Sequence, residues 1–232
     1  MPTVTTVRAV IDQALDLAGE RFEAADGDEG QLAEAWLAHV ITTTRAVLLL
    51  SADGFGGVAA PMRRSVVEHA VWLSWITRHR EEAVAVVRAK FREAVRRNEH
   101  ALREWAGWAS DQVDSALAIE KRHVPTTKDV IGELVATAGD GAIFPKVWFG
   151  VYWSDSEGSH PGIGTARQEP EMGADQWDAM IGAALVLALH AYSTLLPNDP
   201  WDPWVRDVIA ALAEATGYAA NVKAAPLVGG EP

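Results

Sequence analysis

Residues 63–80 read RRSVVEHAVWLSWITRHR, and the fold class follows from how apolar and ionisable positions are spaced in and around them. Between Ser65 and Ile76 the only ionisable residues are Glu68 and His69. At about 100° per residue, Met62, Val66, His69, Leu73 and Ile76 form one stripe, while Arg64, Glu68, Val71 and Trp75 form a second on roughly the opposite side. The period is helical and not the two-residue alternation of a strand. A helix with two apolar sides is packed on both, so this segment is expected at the centre of a helical bundle.

Working outward, the same period recurs between breaks marked by Gly and Pro. A first helix is expected from about Thr5 to Ala25, ending in ADGDEG, and a second from about Gln31 to Ser51, closed by ADGFGG. The central helix runs from about Ala59 to Arg80. The next begins near Glu81 and extends to about Arg122, with a kink expected at Gly107 in REWAGWAS. Thr126 or Thr127 caps a short helix ending near Gly139. Pro145 suits the first turn of another, which Pro161 stops. A long helix follows from about Ala174 to Leu196. In the last, Asp202 caps, Pro203 takes the first helical position and Gly217 lies past the end. The reading is an all-α, single-domain bundle of seven or eight helices over residues 1–220, with 221–232 a disordered tail.

The 232 residues are 49% hydrophobic and 22% charged, enough apolar material for one good core. With 32 acidic against 20 basic residues the formal net charge is −12, which disfavours nucleic acid and anionic membrane surfaces as partners. The strip from Arg78 to Arg103 runs against this, with eight basic residues to four acidic. There is no cysteine, which excludes disulfides, thiolate metal sites and a cysteine nucleophile. The N-terminal MPTVTTVRAVIDQALDL lacks the unbroken apolar core of an export signal. The most apolar run, Met180 to Leu196, is short for a membrane span and contains His190, Tyr192, Ser193 and Thr194. It reads as a buried core helix, and the protein as cytoplasmic.

Two polar sets are candidates for a site. Arg64 and Glu68 lie one turn apart on the central helix among apolar neighbours, where both charges need compensating hydrogen bonds. Tyr152, Ser156 and His160, in VYWSDSEGSHPG, fall within an arc of about 80° if their segment is helical. The second set could donate to Glu68, forming one internal cluster that is either a structural clamp between helices or the lining of a small-ligand pocket. Trp72, Trp75, Trp148 and Trp153 lie on the same two segments and would wall such a pocket. Trp201 and Trp204 read as a packed corner or an interface anchor.

The segments RRSVVEHAVWLSWI and YWSDSEGSHPG resemble a family of uncharacterised, mostly bacterial helical proteins known as a domain of unknown function. Its members carry Arg-x-x-x-Glu and later Tyr-x-x-x-Ser-x-x-x-His. The matching positions are Arg64, Glu68, Tyr152, Ser156 and His160, over roughly residues 31–196. The family prefers an apolar residue just before the serine, where this chain has Asp155. The resemblance implies a site and no reaction. Arg64-x-x-x-x-His69 is similar to the arginine-to-histidine motif of HEPN ribonucleases. That similarity implies metal-independent RNA cleavage in which Arg64 and His69 act across a dimer. These two residues are about 140° apart on the helix, and Ser65 stands where those nucleases favour a strongly polar residue.

His69, His160 and His190 with Glu68 show no His-x-x-x-His or Glu-x-x-His spacing, so no metal or other cofactor is expected. A Ser156–His160 nucleophile pair lacks an identifiable orienting group and oxyanion pocket. GFGG has neither the preceding strand nor the lysine of a phosphate loop. The long exposed helix after Glu81 permits a homodimer.

Overall fold

The computed structural model describes residues 6–20, 25–138, 174–196 and 202–215. Among them are seven α-helices and no strand: α1 (Val7–Glu20), α2 (Gly27–Ala52), α3 (Ala60–Glu104), α4 (Ser110–Leu117), α5 (Thr127–Ala138), α6 (Ala174–Ser193) and α7 (Asp202–Ala215), with a 3-10 turn at Gly57–Ala59 before α3. The chain is an all-α bundle. The expected helix between Pro145 and Pro161 and the expected tail lie outside the described residues.

The quoted stretch does form the middle of the bundle. α3 packs against α2, α4, α5 and α6, while α1 and α7 pack on α6. Val66, Leu73 and Ile76 of its first stripe and Val71 and Trp75 of its second are all buried. Met62, read as part of the first stripe, is exposed at the helix start. α6 is the other core helix, with Ile181, Ala184, Leu185, Ala188, Leu189 and Tyr192 inside. The run from 180 to 196 is therefore a core element. By length and composition alone, α2 is the one described helix that could cross a bilayer. It carries Asp28, Glu29, Glu34, His39 and Arg45 and packs on both α3 and α6.

The entry into α2 is tightly specified. Ala25 N donates to the hydroxyl of buried Tyr192 at 3.1 Å, and a Cβ added to Gly30 would meet the Ala25 carbonyl oxygen at 2.4 Å. Only glycine lets the first turn of α2 close over the preceding residue.

The expected break between Arg80 and Glu81 lies inside one long helix. Arg80 has φ 47° and ψ −122°, non-helical values between two helical limbs, 60–79 and 81–104. A positive φ on a residue with a Cβ stores strain of roughly 1–3 kcal/mol. Its consequence is long-range. Lys90 follows Trp72 by 18 residues, about 27 Å along an unbroken helix, yet Lys90 Nζ lies 4.3 Å from the centre of the Trp72 ring. The second limb therefore folds back beside the first.

The expectation that this helix continues to about Arg122 with a kink at Gly107 is corrected. The helix ends at Glu104, capped by Trp105; Gly107, with φ 67°, turns the chain so that Trp108 N reaches back to the Leu102 carbonyl at 3.0 Å. α4 then starts at Ser110 and packs on the second limb through Val113, Ala116 and Val95.

Candidate functional site

Spacing alone puts Glu68, Trp72, Trp75 and His79 on one face of the first limb of α3, at i, i+4, i+7 and i+11. That face meets α5. The position of α5 is set by its own start. Thr126 N and Oγ1 both donate to the Asp129 carboxylate, at 2.8 and 2.7 Å, and Asp129 N donates to Thr126 Oγ1 at 3.2 Å. This reciprocal cap makes Thr126 the capping residue and holds the Asp129 carboxyl below its ordinary range through the hydrogen bonds from Thr126.

With Thr126 committed to the cap, Thr127 turns inward. Its hydroxyl donates to Glu68 Oε1 at 2.8 Å and accepts from Trp72 Nε1 at 3.2 Å. One hydroxyl thus satisfies the indole of a buried tryptophan and a carboxylate oxygen of a half-buried glutamate. Lys90, from the returning second limb, places its ammonium over the ring of the same tryptophan.

A second relay continues down the seam. Trp75 Nε1 donates to Glu133 Oε2 at 3.0 Å and His79 Nε2 meets Glu133 Oε1 at 2.7 Å, while the His79 ring stacks on Trp75 with centroids 4.4 Å apart. Burial pushes the Glu133 carboxyl up, but the hydrogen bonds from His79 and Trp75 outweigh it and hold the group below its usual range. Arg78 donates to Thr137 Oγ1, and burial lowers its pKa.

On the neighbouring face of α3, toward α2, His69 and His39 lie ring to ring with centroids 4.1 Å apart. Ser65 Oγ is 2.9 Å from His39 Nε2 and 3.4 Å from His69 Nδ1. His69 Nδ1 is also 2.8 Å from the Ser65 carbonyl oxygen, which can only accept, so this nitrogen carries the proton and leaves Nε2 as an acceptor. Burial lowers the His69 pKa; the bond to the Ser65 carbonyl raises it, and nearby His39 lowers it further. Trp36 stands edge-on to both His69 and Trp72, at 5.9 and 6.4 Å between centroids.

The side chains brought together from four segments are therefore Trp36 and His39 of α2, Ser65, Glu68, His69 and Trp72 of the first limb, Lys90 of the second, and Thr127 of α5. The sequence-derived set meets this cluster in part. Glu68, Trp72 and Trp75 lie at the α3–α5 seam, and His69 lies on its flank. Arg64 is half-buried at the start of the limb. Among the described residues, the hydrogen bond to Glu68 comes from Thr127. Tyr152, Ser156 and His160, the donors expected for it, lie outside the described residues with Trp148, Trp153 and Trp201. Trp204 is buried at the start of α7, a packed corner. His190 is buried in the core.

The partners missed by sequence reasoning are Thr127, Lys90, Trp36, His39 and Glu133. The Thr-x-x-Asp spacing at residues 126–129 holds a usable signal for the first: it assigns the cap to Thr126 and frees Thr127. The others meet α3 only through tertiary packing. Ser65 and His39 are at the distance of a nucleophile and its base. Ser65 sits within a helix, however, so the backbone N–H groups beside it are bound in the helix and supply no oxyanion hole. Among the described residues, no group of three or more His, Asp and Glu side chains is arranged to hold a metal.

Comparison of the chain with protein-family models, with curated proteins and with solved structures gives no match.

Proposed function

We propose that the protein is a binding protein that takes a small ligand at the aromatic-walled polar cluster around Glu68. The observation that carries this reading is the Trp72–Thr127–Glu68 relay. Two buried or half-buried polar groups are held in fixed geometry by one hydroxyl, next to indole faces and beneath an exposed lysine. A few convergent polar groups on aromatic walls is the usual composition of a small-molecule site. A purely structural clamp needs neither the exposed Lys90 over Trp72 nor the Nε2 acceptor of His69 at the edge of the cluster. The reading requires no metal or cofactor and fits a cytoplasmic protein, either a monomer or a homodimer. It also agrees with the resemblance to a helical family defined by Arg64, Glu68, Tyr152, Ser156 and His160, in which a site is implied without a reaction.

The test is a thermal-shift screen of polar small molecules against the wild type and Glu68→Gln. A ligand that raises the melting temperature of the first and not of the second supports the reading. If every stabilising compound acts equally on both, the site is elsewhere. The alternative, a metal-independent HEPN-like ribonuclease using Arg64 and His69, has less support. His69 turns toward Trp36 and His39 on α2, and Arg64 is about 140° away around the helix. Incubation with single-stranded RNA in chelator tests it directly: cleavage lost in His69→Ala would replace the binding reading with the nuclease.

A further inference from the structure

Resting on the binding reading, we infer that the ligand is an organic cation with an alkylammonium or guanidinium head, and that Lys90 occupies its seat when no ligand is bound. The tryptophans supply the seat. Trp36 and Trp72 meet edge to face at 78°, and Trp72 and Trp75 at 76° with centroids 5.4 Å apart. Trp72 is thus packed at near right angles against two further indoles, and the face of an indole attracts a cation through the ring quadrupole. The structure records such a cation in place: Lys90 Nζ at 4.3 Å from the Trp72 centroid.

Lys90 is well suited to be displaced. Its residue is exposed, its ammonium sits on a flexible four-carbon stem, and an exposed cation–π contact contributes little. Once Lys90 swings into water, the Glu68 carboxylate stays beside the ring, fixed by the Thr127 hydroxyl that also accepts from the Trp72 indole. His69, the next residue, carries its proton on Nδ1 and so adds no positive charge there. A site left with one carboxylate, a neutral imidazole and indole faces complements a positive head and repels an anion.

The test is an NMR titration of the full chain, following the indole N–H of Trp72, assigned by its loss in Trp72→Phe. The probes are tetramethylammonium, uncharged tert-butanol of similar size, and inorganic phosphate. Saturable movement of this resonance by tetramethylammonium alone is expected. Binding should be roughly two- to fivefold tighter in Lys90→Ala, the ratio set by removing an exposed competing cation–π contact, and weaker in Glu68→Gln. Equal affinity in wild type and Lys90→Ala would overturn the role of Lys90. Movement by phosphate and not by tetramethylammonium would overturn the cation class while leaving a binding site. No movement with any probe in either protein, with a screen that also finds no Glu68-dependent ligand, would remove the binding reading itself.

Discussion

Thr126 and Thr127 are neighbours with hydroxyls committed in opposite directions, the first to the Asp129 cap of α5 and the second to Glu68 and Trp72 of α3. The pair separates two kinds of stabilisation that a single substitution would confuse. Thr127→Val keeps the volume but leaves the Trp72 N–H and a Glu68 oxygen without their partner, a loss of about 1–3 kcal/mol. Thr126→Ala removes only a solvent-exposed cap and should cost about 1 kcal/mol. Urea denaturation of both variants checks the order. A Thr127→Val protein as stable as wild type would mean that the relay contributes nothing to holding α5 on α3.

Arg80 supplies a prediction of the opposite sign. Its φ of 47° and ψ of −122° are open to glycine and strained for any residue with a Cβ. Among the described residues its side chain makes a long, exposed hydrogen bond, 3.4 Å from Nη2 to the Thr194 carbonyl. Arg80→Gly should therefore stabilise the fold by about 1 kcal/mol, relief of strain less the added freedom of glycine in the unfolded chain. In a domain of this size that is roughly 2–4 °C in Tm. A fall in Tm would show that the break is held by the arginine side chain and not imposed on it by packing of the two limbs.

His69 gives a pH dependence. Burial, assisted by His39, lowers its pKa from 6.5 in the folded protein. As pH falls below 6.5 the unfolded chain takes up this proton first, so stability declines from there down to the folded pKa. The groups around it are His39 from α2, Glu68 on its own helix and Lys90 from the returning limb. His69→Gln removes the uptake site, and the drop in Tm between pH 7.5 and 5.5 should be smaller than in the wild type. An equal drop would assign the acid sensitivity to other groups.

The helical class, the central place of α3 and the break at Arg80 were legible because each rests on local information: period, composition and the run of charges after residue 77. The fold-back was not. Nothing in TRHREEA (residues 77–83) signals a positive φ at an arginine, since no glycine marks it. Glu68 stood out as a half-buried carboxylate needing a donor. Its donor came from α5, 59 residues away, because a one-residue choice of cap decided which threonine faced inward. Lys90 read as one more charge in a basic strip, and only the returning limb sets it on Trp72.

Glu133 is a second carboxylate on the seam and makes a separate acid-range prediction. Although burial alone would raise it, the bonds from His79 and Trp75 hold its pKa below 4.5 in the folded state. Its contribution is therefore full above 4.5 and is lost as pH falls through the lower folded value. Glu133→Gln keeps an acceptor for one of the two donors but has no proton to gain. At pH 6 the variant should be less stable than wild type, by a margin kept small because the side chain is 40% exposed and its pairing is screened. As pH falls below 4.5 and through the lower folded value, the margin should close as wild-type Glu133 protonates. Tm measured for both proteins from pH 6 to 3 tests this. A margin that stays constant with pH would show that Gln disturbs the packing of Trp75 and that the charge of Glu133 is irrelevant to the seam.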